Sequence, residues 1–144
     1  MRSDWLFFVH VLAAFVLVGG VLAVVTVSLA AARRPADAVL LRRTAFLTNL
    51  VVVIPSFVAL YAVGITLADD EFGDAEPGWL DTAFPITDFT LIAGGPLLAL
   101  LQYWVLRRAR GGQTGGWQAT LANVVPVLVL AALGAVVFLM SAKP

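Results

Sequence analysis

Cysteine is absent from this 144-residue chain. That excludes disulfides, thiolate metal sites, iron–sulfur clusters and a cysteine nucleophile. Charge is scarce: Asp, Glu, Lys and Arg make up only 12% of the residues, where a soluble globular domain carries about 25%. Nine Lys and Arg balance nine Asp and Glu, so no basic excess exists to neutralise a phosphate backbone, and nucleic-acid binding is not expected. There is a single histidine, His10, and a single lysine, Lys143. No Gly-x-Ser-x-Gly elbow, phosphate-binding loop or dinucleotide fingerprint occurs.

What the chain has in abundance is apolar side chains. They make up 61% of it, against about 45–50% for an average soluble domain, and the mean hydropathy is +0.97. A globule of this size cannot hide that much apolar surface from water. The composition therefore predicts an integral membrane protein with the lipid bilayer as its solvent.

A transmembrane helix needs about 20 mostly apolar residues. Four stretches qualify, at 5–32, 44–68, 84–106 and 117–141. They occupy most of the chain, so a single domain spanning 1–144 is expected: an all-α, four-helix transmembrane bundle. The first stretch is too long for the h-region of a signal peptide and is expected to be retained.

The connectors sort by charge. Arg33, Arg34, Arg42 and Arg43 lie in the loop 33–43, with Asp37 the only acid. Arg107, Arg108 and Arg110 open the loop 107–116, which continues into a glycine-rich turn. The loop 69–83 carries Asp69, Asp70, Glu71, Asp74, Glu76 and Asp81 and no base. Short loops rich in Arg stay in the cytoplasm, so both arginine loops are expected inside, and both termini and the acidic loop outside. Trp5 and Trp79 would mark the outer interface, and Trp104 and Trp117 the inner one.

Pro55, Pro96 and Pro126 fall inside spans and are expected to kink them, most sharply at Gly94-Gly95-Pro96. Small residues four apart (Gly19 with Ala23, Gly64 with Ala68, Gly95 with Ala99, Ala131 with Ala135) allow close helix approach.

The polar residues within the spans form two groups by depth. Asn49 and Asn123 lie in the inner half, where a mutual hydrogen bond is the plain use and a polar lining for a small permeant the alternative. His10 and Asp88 lie in the outer half, at depths that allow them to meet. Intramembrane ionisable groups are functional candidates by default. Met140 lies at a depth comparable with His10, so the two form a candidate axial pair for haem b, or a candidate copper site. The acidic loop lacks the spacing of an EF-hand, and is read as a solvated loop or a docking site for a basic partner rather than a cation site.

The run His10-Val-Leu-Ala-Ala-Phe-Val-Leu-Val-Gly19-Gly20 and the ending Phe138-Leu-Met140-Ser-Ala-Lys143-Pro144 resemble a family of small bacterial four-span membrane proteins. That family is catalogued as a domain of unknown function, number twenty-two sixty-nine. Its opening helix is similar to those of copper-resistance D-type membrane domains and of J-type protoporphyrinogen oxidases. In the latter, a first-helix histidine and a lysine of a later helix are associated with haem. His10 matches that histidine; no span of this chain holds a lysine, and Val18 stands where a tryptophan commonly precedes the Gly-Gly. The resemblance implies a multi-pass protein of the bacterial inner membrane.

Three functions are compatible with these features. The first is a non-enzymatic accessory or scaffolding unit working in a homo-oligomer or a larger membrane complex. The second is a haem- or copper-associated redox protein using His10. The third is an oligomeric small transporter or channel.

Overall fold

The computed structural model describes residues 2–72, 78–113 and 115–141. Among these residues the regular structure is helical throughout, with no strand. Six α-helices run α1 (Arg2–Arg33), α2 (Ala38–Thr48), α3 (Ile54–Phe72), α4 (Gly78–Ile92), α5 (Leu98–Arg110) and α6 (Trp117–Ser141). A π turn, Asn49–Val53, fuses α2 to α3, and a second, Ala93–Leu97, fuses α4 to α5. Four continuous helices result. Within them the segments Asp4–Arg33, Pro35–Asp69, Pro85–Arg110 and Trp117–Phe138 are long and apolar enough to cross a membrane.

The spans are longer than the hydropathy alone suggested. The 33–43 connector is a loop only at its start. Arg34 is extended ahead of Pro35, as a residue before proline must be, and a single 3₁₀ turn, Pro35–Asp37, leads directly into α2. Arg42 and Arg43, read as loop residues, are therefore helical, and Arg42 is buried. At the other arginine connector, α5 is closed by the amides of Gly111, Gly112 and Gln113, which bond to the carbonyls of Arg107, Ala109 and Arg108. Gly112 adopts φ +85°, the left-handed conformation that glycine supplies without steric cost.

Two of the three expected kinks are π turns. Proline lacks an N–H, and its ring collides with the carbonyl four residues back. Widening the turn just ahead of Pro55, and around Pro96, relieves both problems without breaking the helix. Gly94-Gly95-Pro96 thus widens its span rather than unwinding it. Pro126 sits in a regular stretch of α6 and is fully buried.

The spans form a ring. α1 packs on α2, α3 and α6, α5 packs on α2 and α6, and α4 packs on α6. Spans one and three are diagonal across the bundle, as are spans two and four. The core contains Leu17, Val21, Val24, Ala45, Val53, Phe57, Val129 and Leu133, with Val105, Ala119 and Ala122 forming a smaller cluster between α5 and α6.

Glycines admit the closest approaches. A Cβ on Gly20 would stand 2.9 Å from Val52 Cγ1, and one on Gly94 2.9 Å from Val129 Cγ2. Of the small-residue pairs, Gly64–Ala68 and Gly95–Ala99 face neighbouring spans. Gly19, Ala23, Ala131 and Ala135 face outward.

The outer surface suits hydrocarbon. Phe8, Phe15, Phe89, Leu100 and Phe138 are all largely exposed. The hydroxyls of Thr26, Thr44, Thr66 and Ser141 return to the carbonyl four residues earlier, at 2.8–3.0 Å, so none needs water.

Candidate functional site

The polar residues of the bundle collect at two levels. The first lies toward the end that carries the arginines. α2 presents Ala38, Arg42, Ala45 and then Asn49 at successive turns of one buried face. That spacing aims Arg42 into the bundle instead of at water. Its side chain crosses the diagonal, and Nη1 donates to Asn123 Oδ1 of α6 at 2.8 Å. Arg42 is only 4% exposed, and no carboxylate pairs with it among the described residues.

Two turns further along this face, Asn49 Nδ2 donates to the carbonyl of Gly95 at 3.4 Å. The π turn at Ala93–Leu97 breaks the regular ladder there and makes a backbone acceptor available. The two asparagines therefore do not bond each other: each has a different partner, and Asn49 Oδ1 is buried without one.

Sequence reasoning had not singled out the remaining polar groups of this level. Gln102 of α5 is 2% exposed, with both Nε2 and Oε1 unpartnered. Ser28 of α1 is fully buried with its Oγ unpartnered. Nearer the helix ends, Arg108 is bonded to Gln113 and Gln118, next to Gly116, whose φ of +107° and missing side chain leave room for the pair. Trp104 and Trp117 meet edge to face at 5.8 Å between ring centres.

The second level lies toward the opposite end. His10 of α1 is half-buried against Gly64 of α3. A Cβ on that glycine would stand 3.4 Å from the imidazole Cε1, and His10 Nδ1 is buried without a hydrogen-bond partner. Asp88 of α4 is exposed and interacts with the Tyr61 hydroxyl of α3. Tyr61 and Gly64 are one turn apart, so His10 and Asp88 are both drawn to the second span. Met140 falls in the last turns of α6, but its side chain lies outside the described residues, as do residues 73–77 of the acidic loop.

Between the two levels, Val21, Val24, Asn49, Val53, Gly94, Leu98, Pro126 and Val129 surround a central crevice. Its unfilled space, about 170 Å³ including what is open to the outside, is too narrow to admit a water molecule. Among the described residues, no three His, Asp or Glu side chains come together in a way that could hold a metal ion.

Comparison with protein families, with curated proteins and with solved structures found no match to this chain.

Proposed function

We propose that this chain is a small multi-pass membrane protein that acts as a non-enzymatic accessory or scaffolding unit, in a homo-oligomer or a larger complex. The observation that supports this reading is the tight central crevice among the described residues, where glycines and valines interlock and no water fits. Because that crevice has no room for a solute, this reading places the unit's action on its outer surface. That surface offers Gly19, Ala23, Ala131 and Ala135, small residues that let another helix approach. The arginine-bearing end lies in the cytoplasm of a bacterial cell, and the two termini and the acidic loop outside the inner membrane. The sequence at both ends of the chain supports placing it with the four-span family number twenty-two sixty-nine. The test is the mass of the intact assembly purified in a mild detergent: a multiple of the chain mass, or a stoichiometric complex, is expected. A strictly monomeric species at all detergent concentrations removes the reading.

A second reading has one observation in its favour. His10 Nδ1 is buried without a partner, as a lone-pair donor awaiting haem iron or copper would be. An absorption spectrum and metal analysis of the same preparation test it: a Soret band or bound copper, lost in His10→Ala, would establish it, and a colourless, metal-free protein would dismiss it. The narrow centre gives less support to a transport path.

A further inference from the structure

We infer that Arg42, with Gln102 and Ser28, forms a binding site for one oxyanion, a phosphate group, at the arginine end of the bundle. The argument starts from charge. Arg42 is a guanidinium that cannot be deprotonated in a protein, and it is 4% exposed with Asn123 as its hydrogen-bond partner. A neutral amide does not compensate a buried charge, and a guanidinium has five N–H donors to place. Asn123 instead fixes the direction of the side chain.

The register places further donors in the same layer. Gly20 faces Val52 and Val53, so in the antiparallel pair of spans one and two, Ser28 lies within a turn of Arg42. Gly94 faces Val129, and Trp104 faces Trp117, which sets Gln102 within a turn of Asn123. Gln102 and Ser28 are each more than nine-tenths buried and have unpartnered polar atoms. An unpaired buried amide costs stability unless something completes it. A tetrahedral oxyanion answers all three side chains at once: it accepts from the guanidinium, from the Gln102 Nε2 and from the Ser28 hydroxyl, and it supplies the missing negative charge.

The surroundings favour the same ligand. Six more arginines stand at this end, against Asp37 as the single acid in its connectors, and such a field raises the local concentration of anions. Arg42 lies one turn inside Ala38, the start of α2, so about 6 Å along the helix from its end. That depth is within reach of a phosphate at the headgroup level of a bilayer, and of free phosphate in water. The inference goes beyond the accessory reading and does not depend on it.

The test is a thermal-unfolding titration of the purified full chain in a neutral maltoside detergent at constant ionic strength. The probes are inorganic phosphate, a short-chain phosphatidylglycerol, and a diacylglycerol of the same chain length as the uncharged control. A saturable rise in the unfolding midpoint is expected with a phosphate-bearing probe and not with diacylglycerol. A rise with phosphatidylglycerol alone assigns the phosphate to a lipid; a rise with inorganic phosphate assigns it to the free anion. Arg42→Gln should raise the half-saturating concentration about tenfold or more. Gln102→Leu should also raise it several-fold, and it decides the matter if Arg42→Gln does not fold. The surface variant Arg34→Gln should stay within about twofold of the wild type. The site is overturned if the wild type shows no saturable rise with either phosphate probe, if a folded Arg42 or Gln102 variant responds like the wild type, or if Arg34→Gln loses as much as they do.

Discussion

The arginine half of this bundle and the half beyond its central crevice use different means to hold four helices together. In the arginine half, long polar side chains cross between spans: Arg42 reaches Asn123 across the diagonal, Arg108 reaches Gln118, and Asn49 reaches the Gly95 carbonyl. In the other half the interior is mostly apolar, built on Ala13, Leu17, Phe57, Leu133 and Val136; Ser56 and Thr90 are buried there too, Thr90 bonding back to the Ile86 carbonyl of its own helix, and His10, Tyr61 and Asp88 sit around α3. Burial of apolar groups gains little inside a bilayer, so one half relies on hydrogen bonds and the other on close fit. The difference is open to attack by substitution, and unfolding in mixed micelles with increasing dodecyl sulfate measures each effect.

The largest effect is expected at Asn123. Asn123→Leu leaves the buried Arg42 guanidinium without its partner and should cost about 2–4 kcal/mol. Adding Arg42→Met removes the stranded charge and should recover most of that loss. Strict additivity of the two changes would show that the diagonal bond does not hold the arginine half together, and the contrast with the other half would fail.

The next effect separates fit from composition. Gly20→Ala and Gly94→Ala each place a methyl group 2.9 Å from a valine methyl group of the facing span and should cost about 1–3 kcal/mol. Gly19 and Gly134 have no neighbouring atom within 4 Å, so alanine there should leave stability unchanged or raise it by up to about 1 kcal/mol. Equal losses at all four glycines would point to helix flexibility instead of close approach.

Much of this arrangement was legible in the sequence. The start and end of the fourth span, 117–141, coincide with α6, because Trp117 and the preceding glycines punctuate it clearly. The second span begins at Ala38, six residues ahead of the boundary that its hydropathy suggests, because Arg42 and Arg43 look like loop charges. The buried face Ala38, Arg42, Ala45, Asn49, spaced four, three and four apart, was available as a signal that Arg42 points inward. Leu98, Gln102, Val105 and Ala109 repeat that spacing on α5 and mark Gln102 in the same way. Partner choice was not legible. Asn49 and Asn123 both fall in the inner half of their spans, yet which of them meets Arg42 and which meets a backbone carbonyl depends on the two π turns. No periodicity in the side chains announces those turns; the prolines announce only that the ladder must change.

A smaller effect is expected beyond the crevice. Tyr61→Phe removes the hydroxyl that interacts with the exposed Asp88 and keeps the ring, so it should cost about 1 kcal/mol or less. A loss as large as that of Asn123→Leu would mean that this half also depends on a polar tie.

The smallest effect on stability belongs to His10, and it separates the two halves most sharply. The imidazole lies against Gly64 with a buried Nδ1 that bonds to nothing. If its role is packing, leucine fills a similar volume and removes an unsatisfied polar atom, so His10→Leu should shift stability by less than about 1 kcal/mol, toward a more stable protein. Stability alone therefore cannot reveal a ligand role, and absorption at the Soret wavelengths and copper content must be read on the same samples. Unchanged spectra and metal content leave this half to shape complementarity, with the arginine half holding the polar chemistry. A chromophore or copper lost with the imidazole would reverse that assignment: the orphaned nitrogen would then be a ligand, and the Arg42 layer a structural support beneath it.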